Sequence, residues 1–178
     1  MDDPDFLQRI DACRAGSNDL YDESLALVEE LAADPHKREL FDAVFARRAE
    51  ILNGARAEAM RAYQAAHPGD MTAEGVIEAF IGPLLDYSMS GEEGWKNYFR
   101  LVALVNNTPA WGGETMHRFF DPVVHQLVDT LKVALPKAEM RDLYWGYQFL
   151  TGAMMLTLSE TGRIDQLSDG LCRSTDRT

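Results

Sequence analysis

The sequence predicts an all-α protein of six to eight helices. From residue 37 onward, apolar residues recur at steps of three and four, the spacing that places them on one face of an α-helix. Clusters of proline, glycine and asparagine interrupt this spacing and mark where helices end. No stretch alternates apolar and polar residues with a period of two, and the runs of β-branched residues are too short for a sheet.

Composition places the chain among ordinary globular proteins. Its 178 residues (20.0 kDa) suffice for one domain with a real core, and 46% of them are hydrophobic and 26% charged. The formal net charge of −12 argues against a general affinity for nucleic acid or anionic lipid. Cys13 and Cys172 lack a metal-type spacing, and the acidic N-terminus is unlike a secretory signal. These observations predict reduced thiols and a cytoplasmic location.

Residues 1–36 carry most of the negative charge and predict an acidic helical segment. They hold ten acidic side chains against Arg9 and Arg14, so their net charge is −8. The pattern predicts a short helix over residues 6–14 and, after a Gly-Ser-Asn break, a second helix over residues 20–33. An Asp-Pro pair ends the second helix, because proline disfavours a helical conformation in the residue before it.

Three helices are predicted in the next part of the chain. Apolar residues at helical spacing define the first, over residues 37–66, and a His-Pro-Gly-Asp sequence ends it. Thr72 is a suitable N-cap for the second helix, inside which Pro83 predicts a kink. The third helix opens after Ser90 and ends in the Asn-Asn-Thr sequence that precedes Pro109.

Two long helices and a short one complete the prediction. The first covers residues 115–135 and is strongly amphipathic, and the second, over residues 143–159, contains no charged side chain. A short helix or turn is predicted over residues 164–171, and the tail at residues 172–178 is predicted to fray.

The charge-free helix at residues 143–159 is apolar on nearly every side. One small core can cover only one of its faces, so the other face requires a membrane, a ligand or a second subunit. Seventeen residues lie at the lower limit for crossing a bilayer, and glycine, glutamine, threonine and serine dilute the segment. A membrane span is therefore disfavoured, which leaves a ligand or a second subunit.

Five segments carry a resemblance to a known family. They are HKRELFDAVFARRAEILN, FIGPLL, WKNYFRLVALV, FFDPVVHQLVDTL and YWGYQFLTGAMMLTLSETGRIDQLS. Together they cover roughly residues 37–171 and resemble the C-terminal regulatory domain of TetR-family transcriptional repressors. The resemblance implies a homodimer held by a four-helix bundle, to which each subunit gives its last two long helices. It also implies an apolar cavity between the other helices that binds a small apolar or amphipathic effector.

Residues 1–36 depart from the pattern of that family. Its members carry a three-helix DNA-binding head that ends close to Tyr-x-His-Phe-x-x-Lys, whereas the residues before Lys37 read LAADPH. A recognition helix approaches phosphates through lysine, arginine or neutral donors, and two arginines cannot offset ten carboxylates. We therefore expect no DNA binding by this chain alone.

Candidate effector-binding residues lie between residues 76 and 120 and on the inner faces of the later helices. Tyrosine and tryptophan around a cavity suit a small amphipathic ligand, because their polar tips seek a partner. The predicted ligand-binding residues are Phe80, Leu84, Tyr87, Trp95, Tyr98, Phe99, Val102, His117 and Phe120. The dimer-interface residues implied by the resemblance are Val124, Leu127, Val128, Leu131, Tyr147, Leu150, Met154 and Leu158.

A metal site is the chief alternative use of the polar residues. Glu114 and His117 have the Glu-x-x-His spacing of a di-iron helix, and His117, Asp121 and His125 recur every four residues. A di-iron site needs a second such pair and two further glutamates, which the sequence lacks. Asp121 followed by Pro122 is also typical of an N-cap and a first-turn proline. We predict no metal site and no cofactor.

Effector binding has two alternatives, a helical metalloenzyme and an interaction protein. A helical metalloenzyme is disfavoured because the sequence contains no Gly-x-Ser-x-Gly, His-Glu-x-x-His or phosphate-loop motif, and we predict no enzyme activity. An interaction protein that heterodimerises with an intact relative, and so blocks operator binding by that relative, is the stronger alternative.

Overall fold

The computed structural model describes residues 35–90, 92–107 and 109–175. The chain divides into two units, residues 1–45 and residues 46–178. Both helices predicted within residues 1–36 lie outside the described residues. Within the first unit, the described part shows the rings of Phe41 and Phe45 stacked, with centroids 5.4 Å apart.

The described residues form helices and no strand, so the all-α prediction is confirmed. The six helices are α1 (Pro35–Ala66), α2 (Ala73–Met89), α3 (Glu93–Asn106), α4 (Pro109–Ala134), α5 (Met140–Leu158) and α6 (Arg163–Leu167). In the second unit, α3 packs against α2, α4 and α5, and α4 also packs against α2 and α5. None of the helices described is long and apolar enough to cross a membrane.

The start of α2 follows from local sequence. Thr72 is the N-cap as predicted, and its Oγ1 accepts a hydrogen bond of 3.1 Å from the backbone N–H of Gly75. The Tyr63 hydroxyl, near the end of α1, accepts a 3.1 Å bond from the Thr72 backbone N–H. This pair of contacts joins the end of α1 to the start of α2.

α4 is longer than the sequence predicted. It begins at Pro109 rather than near residue 115, and it continues without interruption through Pro122. The prediction that Asp121 and Pro122 begin a helix is therefore wrong. Pro122 lies on the exposed side of α4, where the local loss of a helical hydrogen bond costs least. Asp121 instead pairs with His117 one turn earlier, with 2.6 Å between Oδ2 and Nδ1.

Hydrogen bonds hold the residues that follow α6. The backbone N–H of Cys172 donates to Ser168 Oγ (2.9 Å), and the Ser174 N–H and hydroxyl both donate to the Asp165 carboxylate (2.6 and 2.8 Å). The fraying predicted for residues 172–178 stays a prediction.

Two hydrogen bonds fasten α1 to α4 in the second unit. The Asn53 side-chain amide donates to the carbonyl of Phe119 (2.7 Å), and the Gln126 amide donates to the carbonyl of Ala57 (3.2 Å). Both bonds satisfy a backbone carbonyl with a side chain of the other helix. They fix the position of α1 beside the site described next.

Candidate functional site

A cavity lies inside the second unit where the five long helices meet. Its volume is about 20 Å³, which is room for about one water molecule. Its lining residues are Leu52, Arg56, Phe80, Leu84, Phe99, Val102, Met116, Phe120, Val124, Tyr147, Thr151, Met154 and Met155. Each of α1 to α5 contributes at least two of them, mostly three or four positions apart on one helical face.

Arg56 is the charged side chain among the lining residues that the structure describes. It is 4% exposed, and its guanidinium carbon lies 4.2 Å from the centroid of the Phe80 ring. Its Nε is buried and has no hydrogen-bond partner among the described residues. Burial lowers the pKa of Arg56 to about 10, and the phenols of Tyr147 and Tyr98 act in the opposite direction. The side chain is therefore still a cation at neutral pH.

Two hydroxyl groups accompany this cation in the cavity wall. Within the part of the chain that the structure describes, the buried Thr151 Oγ1 has no hydrogen-bond partner, and Tyr147 is half-buried on the same helix. Tyr98 is buried just outside the wall, and burial raises the pKa of its phenol although Arg56 and Arg48 oppose that shift. The polar groups that a ligand would meet are thus one guanidinium and two hydroxyls.

The structure brings together five of the nine predicted ligand-binding residues. Phe80, Leu84, Phe99, Val102 and Phe120 all line the cavity and are buried. They come from three different helices. The aromatic and aliphatic positions chosen on α2 to α4 therefore share one interior space.

The other four predicted residues lie elsewhere. Trp95 and Tyr98 are buried but do not line the cavity, and the Tyr87 ring packs on Trp95 with centroids 4.2 Å apart. The side chain of His117 is 79% exposed and pairs with Asp121 on the surface of α4. His117 therefore does not line the cavity, although Phe120, three residues later on the same helix, does.

Sequence reasoning missed Arg56, which is the most polar group of the cavity. A signal for it was present in the spacing of α1, where Ala49, Leu52 and Met60 are each 1% exposed. Arg56 falls between Leu52 and Met60 at steps of four, so helical periodicity places it on the same buried face. An arginine in the middle of an apolar face is the pattern that identifies such a group.

The residues predicted for the dimer interface are largely interior. Val124, Leu127, Val128, Leu131 and Leu158 are buried within the single chain, which leaves them almost no surface for a second subunit. Val124, Tyr147 and Met154 instead line the cavity, and Leu150 is half-buried. The predicted helices are retained, but any subunit contact must use their other faces.

The outer face of α5 carries large exposed apolar side chains. Trp145 is 56% exposed, Phe149 73% and Leu156 63%, and their spacing of four and seven residues places them on one face. Gly152 lies between the last two, and a Cβ built there would meet no atom of the described residues within 4 Å. Packing within the chain therefore does not require a glycine at this position. A shallow groove of about 370 Å³ beside Leu156 extends this outer apolar face.

The described residues provide no cluster for a metal ion. Across residues 35–90, 92–107 and 109–175, no group of three or more histidine, cysteine, aspartate and glutamate side chains could hold one. His117 and Asp121 form a pair on the surface, and the His125 ring contacts Tyr144, with centroids 6.5 Å apart.

Comparison with known proteins gives one informative match. Residues 78–178 match the family model described as "Tetracyclin repressor-like, C-terminal domain", which is more than half of the chain. A search of curated proteins finds no match. The matched segment includes α3 to α6 and most of α2.

Proposed function

The chain belongs to the family of tetracyclin repressor-like C-terminal domains, and on that basis we propose that it senses a small effector and dimerises as a TetR-family regulator does. The proposal assigns effector binding to the cavity and dimerisation to the outer face of α5. It includes a cytoplasmic location and no enzyme activity.

One observation carries the sensing function: all five long helices line the same cavity. Ligand pockets for small molecules usually measure about 300–1,000 Å³, whereas this cavity measures about 20 Å³. A ligand can therefore enter only if the lining helices move apart, so that binding and conformational change are one event. Met116, Met154 and Met155 suit such a change, because methionine adapts readily to a new packing arrangement.

The position of α1 suggests how binding is reported. Arg56 of α1 lies in the cavity wall, between Asn53 and Ala57, which bond to α4. A ligand that pushes α1 away from α4 would strain those two hydrogen bonds. We infer that a shift of α1 relative to α4 is the output of the sensor.

Binding of a neutral apolar ligand tests the sensing function. Naphthalene, followed by equilibrium dialysis, is expected to bind the full chain with one site per subunit. Val102→Ile adds a methylene group to the cavity wall and should weaken binding about fivefold or more. Val105→Ile is the matched control, because Val105 is equally buried on α3 but does not line the cavity. Equal effects of the two substitutions, or no binding, would contradict the assignment.

The outer face of α5 supports the proposed homodimer. Its exposed tryptophan, phenylalanine and leucine form an apolar surface of the kind that subunit interfaces cover. Phe149→Asp should convert a dimer to monomers in sedimentation velocity at micromolar concentration. Leu104→Asp, at an exposed apolar position of α3, should leave the dimer intact. A wild-type chain that sediments as a folded monomer would exclude the homodimer.

The same face also suits the second candidate, a heterodimer with an intact relative. Mixing the chain with a TetR-family regulator that carries its own DNA-binding head should then yield exchanged subunits and weaker operator binding. No subunit exchange would remove this candidate.

We also propose that the chain alone does not bind DNA. It is supported by the net charge of −8 on residues 1–36. Fluorescence anisotropy of labelled duplex DNA at low salt should show no binding by the chain. Salt-dependent binding at nanomolar protein would overturn this part.

A further inference from the structure

Arg56 introduces a positive charge that the described chain does not neutralise. Buried charges in proteins are normally paired with an opposite charge, because the unpaired state is costly. On the same helix, the exposed Arg61 forms an ion pair with Glu58 at 2.6 Å. Arg56 is 4% exposed, yet no acidic side chain in the described part of the chain pairs with it. In the described part of the chain, Arg56 interacts with the Phe80 ring and with the phenols of Tyr147 and Tyr98.

The polar groups near Arg56 favour an anionic ligand. The buried Thr151 hydroxyl has no hydrogen-bond partner in the described part of the chain, and Tyr147 supplies a second hydroxyl to the same wall. Both can donate a hydrogen bond, and a guanidinium can donate two parallel ones to a carboxylate. No acidic side chain of the described residues lines the cavity to repel such a ligand.

The other residues of the cavity wall favour a ligand with an apolar body. Its remaining residues are apolar, and Phe80, Phe99 and Phe120 provide aromatic surface. One guanidinium can balance one negative charge in such surroundings, whereas a phosphate monoester would bring a second charge without a partner. A ligand with one carboxylate on a compact apolar group suits both the Arg56 guanidinium and the apolar residues of the wall.

We propose that the effector of this sensor is a monocarboxylate with an apolar body, and that Arg56 binds its carboxylate with help from Thr151 and Tyr147. The proposal rests on the proposed effector function of the cavity and specifies the chemical class of ligand. The apolar body would lie among the phenylalanines and methionines of the wall. Arg56 is then a recognition residue, kept charged and buried for a ligand rather than for the fold.

Matched acids and amides test this proposal in the full chain. Octanoate and phenylacetate, each beside its neutral amide, are titrated by calorimetry at pH 7.5. We expect at least one acid to bind about tenfold or more tightly than its amide, because hydrogen bonds to a charged group are the stronger ones. Arg56→Met should remove this preference, so that each acid and its amide bind this variant within about threefold of each other. Arg56→Lys should retain part of it, because it keeps the charge but loses the bidentate geometry.

Arg61→Met is the control, since Arg61 lies on the same helix and is exposed. It should bind acids and amides as the wild type does. Equal binding of acid and amide by the wild type, or unchanged acid binding by both Arg56 variants, would overturn the inference. Failure of both acids and both amides to bind would overturn it as well.

The naphthalene experiment separates these outcomes from failure of the sensor itself. If naphthalene binds and Val102→Ile weakens its binding, the cavity is a ligand site whatever its preference for charge. In that case equal binding of acids and amides contradicts only the carboxylate class.

Discussion

Replacing Arg56 with methionine should stabilise the ligand-free protein. The pKa of Arg56 falls from 12.5 to about 10, and each unit corresponds to about 1.4 kcal/mol, so burial of the charge costs about 3 kcal/mol. Methionine retains most of the apolar stem but loses the contact of the guanidinium with the Phe80 ring, worth about 1 kcal/mol. The expected net gain in the free energy of unfolding of Arg56→Met is about 2 kcal/mol.

The gain in the free energy of unfolding of Arg56→Met should not depend on pH between about 6 and 9. The folded-state pKa of Arg56 lies below its ordinary value, so the unfolded chain holds this proton more tightly. The destabilisation is therefore fully present below pH 10 and is lost only as the pH rises above that value. Urea denaturation at a fixed protein concentration measures the stability gain of Arg56→Met. A rise in Tm of about 4–8 °C should accompany this gain.

Arg61→Met provides the reference for this measurement. Arg61 is exposed, and the change in stability on its replacement should stay within about 0.5 kcal/mol. If Arg56→Met instead lowers the free energy of unfolding by about 1 kcal/mol or more, the reasoning is refuted. That result would mean that the buried guanidinium stabilises the fold.

Three further predictions concern a cap, the core and a surface residue. Thr72→Ala should cost about 1 kcal/mol in urea denaturation, because the Gly75 backbone N–H loses its acceptor, and Thr72→Ser should restore most of it. Phe99→Ala should cost about 3–5 kcal/mol, since Phe99 is fully buried, and it should bind naphthalene more tightly if the protein stays folded. His117→Ala should change stability by less than about 0.5 kcal/mol and leave ligand binding unchanged, because its pair with Asp121 is on the surface.

Helix positions were predictable where the determining chemistry is local. Thr72 was identified as an N-cap because the hydrogen bond that it makes involves a residue only three positions away. The start of α4 was predicted near residue 115, just after two consecutive glycines at positions 112 and 113, which are weak helix formers. The helix nevertheless begins at Pro109, where a proline is well suited to the first turn.

The candidate site was only partly predictable, for reasons that lie in tertiary packing. Helical periodicity places Leu127 and Phe149 on apolar faces of their helices. It could not show that Leu127 is buried and Phe149 exposed. The choice between two apolar faces depends on which one the neighbouring helices cover. Arg56 was missed because charged residues are usually exposed, although its spacing from Leu52 and Met60 places it on the buried face of α1.

Methionine methyl NMR tests the central claim, that the cavity is the effector site, most directly. The chain provides both reporters and controls, because Met116, Met154 and Met155 line the cavity whereas Met89 and Met140 are exposed. Titration with naphthalene should shift the methyl resonances of the three cavity methionines and leave those of the two exposed ones in place. Shifts confined to Met89 and Met140, with the cavity resonances unmoved, would contradict the assignment.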